Sequence, residues 1–278
     1  MRFRRLLTIL IPALFLCANC LFAAESIPFQ FRGGMIWLKV AVGGSRQPLN
    51  FLLDSGAGAS VLDLATARGL GLKLGKRQNV QGVHGRSIAY RVEDFAASVA
   101  GIAIPSSLLA LDLSGPSRSS HQRIDGLLGA DFFRDRIVQI DFAAQTIRLL
   151  KREELREAGC EILPLTARND VPCARVSVDG SAPQWMRLDT GCNTALEWVV
   201  TGAKAKKLGL ITLGLHAGSV REIHADVQLG AKRIAAVKTG IHTEQMFAAE
   251  AGLIGNGLLS RFLVTIDSAK RRCLLADR

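Results

Sequence analysis

The chain presents nearly the same pattern of residues twice, and this repetition leaves few folds open to it. The segment PFQFRGGMIWLKVAVGGSRQPLNFLLDSGA at 28–57 aligns with PLTARNDVPCARVSVDGSAPQWMRLDTGC at 164–192. In each, an apolar run is followed by a turn that contains glycine and by a second apolar run that ends in aspartate, Asp54 or Asp189. Internal self-similarity indicates repeated structural units. We therefore expect two halves of one plan, related by a pseudo-twofold axis.

The similarity continues towards the end of each half. The segment GLLGADFFRDRIVQIDFAAQTIRLL at 126–150 resembles GLIGNGLLSRFLVTIDSAKRRCLLA at 252–276. Both predict an apolar-apolar-glycine motif, a short helix, a strand that ends in Ile-Asp, a turn and a last strand. The segments that follow the two aspartates, 59–75 and 194–214, have a helix-like pattern. The other apolar runs are short and bounded by turn residues, which indicates a mostly β, largely antiparallel fold with short helices.

These patterns divide the chain into four segments. Residues 27–150 and 163–278 form the two β lobes, and residues 151–162 form a charged, exposed linker. Residues 1–24 combine the basic start MRFRR with an apolar stretch that ends in small residues, which is the layout of a secretory signal peptide. The chain is therefore expected to be exported, either periplasmic or secreted. The alternative is an uncleaved membrane anchor, because the apolar stretch approaches spanning length; membrane association is expected only through this segment.

The chain is basic, with a formal net charge of +11 at pH 7. Removal of residues 1–24 takes away three arginines and no acidic residue, so the charge falls to 11 − 3 = +8. Lys and Arg are scattered and the chain has 1 tyrosine, which argues against a stacking surface for nucleic acid.

The cysteines and histidines do not predict a metal site, because the sequence has no CxxC motif and no close His/Cys spacing. An oxidising compartment permits disulfides, but the sequence leaves open which cysteines pair: Cys160, Cys173, Cys192 and Cys273.

Two Asp-Ser/Thr-Gly turns stand at equivalent points of the repeat and begin at Asp54 and Asp189. A single Asp-Ser-Gly is also a common turn. A pseudo-twofold axis brings equivalent loops together, so the two aspartates are expected to meet. Two adjacent carboxyl groups share one proton, because like charges disfavour ionisation of both. The ionised member can then take a proton from water while the protonated member donates to a carbonyl oxygen, which is the chemistry of amide hydrolysis.

The residues after each aspartate fit this arrangement. Gly56 and Gly191 permit tight turns whose N–H groups point at the carboxylates. Ser55 and Thr190 carry hydroxyl groups that can hydrogen-bond to the opposite loop and join the two loops. This chemistry needs no metal ion and no organic cofactor.

The motifs FLLDSGAGASVLD with IDGLLGADFF, and RLDTGCNTALEW with AGLIGNGLL, resemble the retropepsin-like aspartic proteases in a fused two-lobe, bacterial form. The resemblance covers nearly all of the chain beyond residue 24. It implies two acid-protease-type β-barrel lobes and catalytic roles for Asp54 and Asp189. It also implies that an apolar-apolar-glycine motif supports each catalytic loop: Leu127, Leu128 and Gly129 in the first half, and Leu253, Ile254 and Gly255 in the second.

The second half departs from the family pattern at Cys192, Asn193 and Glu197. A Glu197 side chain that pointed into the site would add a third negative charge. Neither glycine is followed by a hydroxyl residue, because Ala57 and Cys192 stand there, so hydrogen bonding favours the ionised carboxylates less. We therefore expect the aspartate pair to titrate at higher pH than in pepsin-like enzymes.

Other chemically capable residues receive structural assignments. Asp125 has no counterpart in the second half and is assigned to a loop or a helix start. Cys192 has no base near it in sequence and is assigned as a small buried residue. The histidines form no close pair and are assigned to the surface or to loops: His84, His121, His216, His224 and His242.

A covering hairpin is expected in the first half. The segment 79–95 fits a hairpin with a glycine-rich tip, Gly82-Val83-His84-Gly85, where the family carries the flap that closes over substrate. The segment 213–230 occupies the equivalent place in the second half. The sequence leaves open whether the chain has one flap or two.

Together these features predict an aspartic endopeptidase that acts as a monomer. A water molecule between Asp54 and Asp189 would attack the peptide bond, and an extended polypeptide would lie in the cleft between the lobes. The alternative is a peptide-binding module of the same fold that has lost turnover through its altered second lobe. A third interpretation is a peptidase that cleaves only itself or one dedicated partner.

Overall fold

Strands dominate the chain and its helices are short, which confirms the mostly β, two-lobed fold predicted from the repeat. The computed structural model describes residues 25–43, 45–82, 85–201 and 221–278. The predicted export segment at 1–24 lies outside these residues, and its assignment stays a prediction.

The first lobe is built on one ten-stranded sheet. Short helices accompany this sheet: α1 (Leu64–Gly69), α2 (Ser114–Ser119) and α3 (Ala130–Phe133). The strands of the lobe, in chain order, are β2 (Gln30–Arg32), β3 (Met35–Val42), β4 (Leu49–Leu53), β5 (Val61–Asp63), β6 (Arg77–Gly82), β7 (Gly85–Val92), β8 (Ala97–Val99), β9 (Ile102–Ala103), β10 (Leu108–Leu111) and β11 (Gly126–Leu128).

A twelve-stranded sheet contains the second lobe and the strands that join the lobes. It is accompanied by a 3₁₀ helix (Arg152–Glu154) and by α4 (Asn256–Leu259). Its strands are β1 (Glu25–Pro28), β12 (Ile137–Asp141), β13 (Thr146–Leu150), β14 (Cys160–Arg168), β15 (Val171–Val178), β16 (Gln184–Leu188), β17 (Leu196–Val199), β18 (Arg221–Leu229), β19 (Lys232–His242), β20 (Gly252–Ile254), β21 (Phe262–Asp267) and β22 (Arg272–Asp277).

The two lobes have the same strand order. The sequence of neighbours β3-β4-β11-β5-β10-β7 in the first lobe recurs as β15-β16-β20-β17-β19-β18 in the second. In each lobe a parallel pair forms the centre, β4 with β11 and β16 with β20. Parallel strands are found where both faces of a sheet are covered, and the last residues of β4 and β16 are buried. The two aspartates follow directly on these central strands.

The lobes are joined by a continuous sheet and a continuous core. Strands β12 and β21 pair antiparallel across the junction, with Ile137 opposite Asp267 and Asp141 opposite Leu263. The main cluster of buried apolar side chains extends from Ile27 in β1 to Leu275 in β22 and includes residues of both lobes. Burial of apolar surface shared between the lobes holds their relative position.

The helix expected over 59–75 is shorter than predicted. Residues 61–63 form β5, which is buried and pairs with β10 and β11. Helix α1 begins only at Leu64, where the Asp63 side chain caps it by accepting a hydrogen bond from Thr66 N. A short buried apolar run has no polar face, so periodicity does not separate strand from helix there.

The second helix-like segment, 194–214, likewise contains a strand, β17, over Leu196–Val199. Residues 202–214 of this segment lie outside the described residues. The prediction of a helix directly after Asp189 is therefore wrong over 196–199, because this run is the buried partner of β19 and β20.

The linker predicted at 151–162 is only partly a linker. It contains the 3₁₀ helix, and β14 begins at Cys160 inside it. Leu155 is buried in a small cluster with Ile137, Leu150 and Leu274, so the expectation that the whole segment is exposed is wrong.

Searches of the described residues give three negative results. No helix there has the length and apolar character needed to cross a membrane. No group of three or more His, Cys, Asp or Glu side chains there is arranged to hold a metal ion. The four cysteines in the same part of the chain are all free thiols.

Candidate active site

The two central strands place Asp54 and Asp189 on equivalent loops. Asp54 N donates a hydrogen bond to Leu128 O over 2.8 Å, and Asp189 N donates to Ile254 O over 3.0 Å. Each aspartate therefore begins its loop by extending the parallel pairing of its strand with the neighbouring apolar-apolar-glycine strand. The sequence-predicted residues Leu128 and Ile254 lie at equivalent points under the loops.

The carboxyl groups of Asp54 and Asp189 are hydrogen-bonded to each other. The glycines make this approach possible. A β-carbon at Gly56 would lie 2.6 Å from Asp189 Oδ1, and a β-carbon at Gly191 would lie 2.6 Å from Asp54 Oδ1. Neither glycine has a positive φ. The predicted reason for the glycines, tight turning, is therefore incomplete, because their main requirement is space for the opposite carboxyl group.

Backbone N–H groups of each loop hold its own aspartate. Gly56 N and Ala57 N each donate to Asp54 Oδ1 over 3.0 Å. Gly191 N donates to Asp189 Oδ1 over 2.9 Å. These donors favour the ionised form of the carboxyl that accepts them, and they fix its orientation.

Ser55 and Thr190 connect the two loops through four buried hydrogen bonds. Ser55 N donates to Thr190 Oγ1 over 2.9 Å, and Thr190 N donates to Ser55 Oγ over 3.1 Å. Each hydroxyl also donates to a carbonyl of the opposite strand, Ser55 Oγ to Leu188 O and Thr190 Oγ1 to Leu53 O. Both side chains are fully buried. The arrangement is reciprocal, so neither loop can move without breaking bonds to the other.

The two glycines of the supporting motifs also allow close contact. A β-carbon at Gly129 would lie 2.8 Å from Ala57 O, and one at Gly255 would lie 2.8 Å from Cys192 O. Each glycine thus lets its own lobe's aspartate loop lie directly on the start of α3 or α4. The structure brings together all of the loop residues singled out in the sequence.

Burial makes both aspartates poor acids. Burial, followed by the charge of Asp189 and the hydrogen bond with it, raises the pKa of Asp54 from 3.8 to about 8, although backbone N–H groups oppose this. Burial also raises the pKa of Asp189, while the Arg187 charge and the hydrogen bond from Asp54 oppose the rise. The interaction between the two carboxyl groups thus acts in opposite directions: it raises the pKa of Asp54 and opposes the rise of the pKa of Asp189. The raised pKa of both carboxyl groups agrees with the expectation of a high-titrating pair.

The predicted flap is an antiparallel hairpin. Strands β6 and β7 pair from Arg77 opposite Tyr90 to Gly82 opposite Gly85, and Gly85 has a φ of +115° that suits glycine. Val83 and His84 lie outside the described residues, so the tip itself is not placed. The candidate second flap, 213–230, is described only from residue 221, where β18 begins.

The first and second lobes also meet at Asn256, a residue that the sequence analysis did not single out. Asn256 Nδ2 donates to Gly34 O over 2.9 Å and to Thr190 O over 2.7 Å. Gly34 also lies against Asn193, where a β-carbon on the glycine would be 2.8 Å from Asn193 O. Asn193, one of the departures from the family pattern, thus packs against the hairpin formed by β2 and β3.

A buried ion pair behind the second aspartate was also missed. Arg187 and Glu250 form it with 2.8 Å contacts, and Arg187 Nη1 donates to Gly56 O over 2.7 Å. The sequence signal was an arginine between the apolar residues Met186 and Leu188 at the end of β16, two residues before Asp189.

Glu197 contacts a histidine within the second lobe. Its Oε2 lies 2.5 Å from His242 Nε2, and both side chains are nearly buried. The assignment of histidines to the surface or to loops is therefore wrong for His242, which ends β19 beside β17. A single histidine in the sequence does not indicate that it will pair with Glu197.

Cys192 differs from its assignment as a buried residue, whereas Asp125 lies in a loop, as assigned. Cys192 is partly exposed, with its Sγ 3.1 Å from Thr194 Oγ1, and burial followed by the Asp189 charge raises the pKa of its thiol to about 12. A thiol that titrates so high is a poor nucleophile at neutral pH. Asp125 is a buried bracing residue, which accepts from Asn50 N and Thr66 Oγ1.

Two comparisons with known proteins agree with this geometry. Residues 38–132 match the family model for aspartyl proteases. Among solved structures, the chain is similar to the aspartic proteinase from Irpex lacteus, with a TM-score of 0.59 and 13% identity over 92% of this chain and 97% of that chain. At this identity the likeness establishes the fold. A search of curated proteins found no match.

Proposed function

We propose that this chain is an endopeptidase of the aspartic protease kind whose catalytic groups are Asp54 and Asp189. The observation that carries the proposal is the hydrogen-bonded carboxyl pair, which sits on equivalent loops of two lobes with the same strand order. The family match over residues 38–132 and the fold support a hydrolase of the protease class. The proposal adds the two catalytic residues and cleavage at internal peptide bonds.

The reaction uses the two carboxyl groups in opposite protonation states. Ionised Asp189 takes a proton from a water molecule, the water oxygen bonds to the peptide carbonyl carbon, and Asp54 gives its proton to the carbonyl oxygen. The tetrahedral intermediate then collapses when Asp189 returns its proton to the leaving nitrogen and Asp54 recovers one from the hydroxyl group. The C–N bond breaks, and the pair returns to its starting state.

The substrate is an extended polypeptide between the lobes. Such a segment hydrogen-bonds through its backbone like an added strand. The β6–β7 hairpin belongs to the first lobe and is proposed as the cover that excludes water, with Gly82, Val83 and Gly85 near the substrate. No cofactor takes part in this proposal.

The second candidate function is a peptide-binding module without turnover. The observation that favours it is the altered second loop, where Cys192 stands in place of Ala or Ser and Asn193, in place of a small residue, packs against Gly34. The pairing of Glu197 with His242 favours the enzyme. A Glu197 carboxylate that contacts His242 within the second lobe does not point at the aspartate pair as a third negative charge.

We further propose that the chain is exported through residues 1–24 and acts as a monomer outside the cytoplasm. Membrane attachment would depend on retention of that segment, and nucleic acid is not among the proposed partners. A test is the size and N-terminus of the protein recovered from the export compartment, which should lack residues 1–24.

The decisive experiment is cleavage of a diverse peptide library by the chain without residues 1–24, between about pH 3 and 8, a span that brackets ordinary and raised carboxyl pKa values. Asp54→Asn and Asp189→Asn should each abolish cleavage, whereas the exposed Asp135→Asn should not. Retention of peptides without cleavage would support the binding module. Cleavage that survives either aspartate substitution would refute the two-carboxylate proposal.

A further inference from the structure

The two lobes differ in charge at one pair of equivalent positions behind the aspartates. Two residues before the aspartate, the first lobe has Leu52 and the second has Arg187. Two residues before the glycine that begins β11 or β20, the first lobe has Ile124 and the second has Glu250. Leu52 and Ile124 belong to one buried apolar cluster. The second lobe therefore holds a charged pair where the first lobe holds an apolar pair.

The charged pair is fully buried and held from several sides. Arg187 Nε and Nη2 each lie 2.8 Å from an oxygen of Glu250, with side-chain exposures of 6% and 1%. The guanidinium carbon lies 3.4 Å from the centroid of the Phe247 ring. Asn169 Nδ2 donates to Glu250 Oε1 over 3.1 Å. Such a planar, two-bond arrangement gives the guanidinium a single orientation.

The third nitrogen of the guanidinium reaches the other lobe. Arg187 Nη1 donates to Gly56 O over 2.7 Å. Gly56 is the residue whose α-carbon faces the Asp189 carboxyl group. Arg187 thus ties the loop of Asp54 to the strand that carries Asp189, and it does so directly beside the carboxyl pair.

A buried ion pair gives little net stability compared with apolar side chains of similar volume, because desolvation of both charges offsets their attraction. The first lobe has apolar side chains at the equivalent positions, Leu52 and Ile124. Stability alone therefore gives a weak reason for a charged pair in the second lobe, and its effect on the neighbouring aspartates is the stronger reason.

We propose that Arg187, balanced by Glu250, is a positioning residue that makes the two aspartates unequal and keeps the shared proton on Asp54. The proposal rests on the function proposed above and adds to it the residue that makes the roles of the two aspartates unequal. Asp189 is then the group that takes the proton from water, and Asp54 is the group that protonates the carbonyl oxygen.

The physical cause is the fixed positive charge on one side of the pair. Burial raises the pKa of both carboxyl groups, but Arg187 lowers that of Asp189, and no cation occupies the equivalent place next to Asp54 at Leu52. Two backbone N–H groups lower the pKa of each carboxyl group, those of Gly56 and Ala57 for Asp54 and those of Gly191 and Cys192 for Asp189, so they do not make the two carboxyl groups unequal. The other titratable or charged groups that face Asp189 or Arg187 are Asp54, Cys192, Glu250 and Cys173; Arg168 faces Cys173, and Glu197 faces Cys192.

The test is a pH titration of the Asp54 and Asp189 carboxyl carbons by NMR, with Asp54→Asn and Asp189→Asn used to assign the signals. The double variant R187L/E250I copies the first-lobe pair and removes both charges. Asp189 should then titrate about one pH unit higher, the lower end of the effect of a nearby opposite charge, and the proton should divide more evenly between the carboxyls.

Glu250→Gln tests the opposite sign. It keeps the shape of the side chain but leaves the Arg187 charge unbalanced, so Asp189 should titrate lower than in the unmodified chain. Glu222→Gln is the matched control, because Glu222 pairs with Lys238 on the exposed β18–β19 hairpin, and it should leave both titrations unchanged.

Opposite shifts in R187L/E250I and Glu250→Gln support the proposal, since a purely structural role would disturb both variants in the same direction. Shifts of equal sign, or none, overturn it. If the double variant does not fold, Glu250→Gln alone decides, with a downward shift for the proposal and any other result against it. The titration needs no turnover, so failure of the proposed function would show separately as absence of peptide cleavage.

Discussion

At the scale of single residues, the site depends on the absence of a side chain at Gly56 and Gly191. Each glycine faces the carboxyl group of the opposite lobe at a distance that leaves no room for a methyl group. The sequence analysis placed both glycines in the site but for a different reason, because a linear sequence shows turn preferences and not which residue will lie across an axis.

Gly56→Ala and Gly191→Ala should each push the carboxyl groups apart. We expect a loss of peptidase activity and a destabilisation of about 1–3 kcal/mol, the usual effect of overpacking in a dense interior. Gly115→Ala is the control, because Gly115 lies in α2 with open space around its α-carbon. Urea unfolding and peptide cleavage measure both effects, and a fully active Gly56→Ala would contradict the close approach.

At the scale of elements, the loops after β4 and β16 behave as one unit. Ser55 and Thr190 exchange reciprocal hydrogen bonds and reach the last carbonyls of the opposite strands, Leu188 O and Leu53 O. The strands on which the loops rest are themselves paired with β11 and β20. The geometry of the aspartate pair is therefore set by strand ends that are hydrogen-bonded on both sides.

Ser55→Ala and Thr190→Val should each leave buried polar groups without partners, at a cost of about 1–3 kcal/mol in the free energy of unfolding. Because the two hydroxyls act together, the double variant should lose less than the sum of the single losses. A double-mutant cycle by urea unfolding measures this coupling. Ser119→Ala, on the exposed helix α2, serves as control. Strict additivity would show that the loops are held independently.

At the scale of the whole molecule, the stability of the fold is linked to the protonation of the pair. Burial, followed by the charge of Asp189, raises the pKa of Asp54 from 3.8 to about 8 in the folded chain. Between these values the folded state binds more protons than the unfolded state, so the free energy of unfolding falls as the pH rises. This contribution is complete below pH 3.8 and is lost as the pH rises through about 8.

The melting temperature of the unmodified chain should therefore fall between about pH 4 and 8 by more than that of Asp54→Asn, which carries no ionisable group at this position. Calorimetry at several pH values in this window measures the difference, and Asp135→Asn controls for the removal of an exposed carboxyl group. Parallel pH dependence in the unmodified chain and Asp54→Asn would mean that Asp54 does not hold the proton.

The sequence by itself determined the features that are local or repeated. The two lobes, the mostly β fold, the Asp-Ser/Thr-Gly loops and the apolar-apolar-glycine strands all follow from patterns that lie close together in the chain and occur twice. Short buried runs were the exception: residues 61–63 and 196–199 form strands where a helix was expected, because a run that is buried on all sides has no periodicity to separate the two.

Only the tertiary structure decided the contacts between residues that are distant in sequence. The sequence does not show which residues pair in three such contacts: Arg187 with Glu250 and Gly56, Glu197 with His242, and Asn256 with Gly34. Each polar group at these places is buried and so must find a partner, but which partner lies within reach depends on how the two lobes pack. The repeat predicted that the aspartates meet; the packing decided that their surroundings differ.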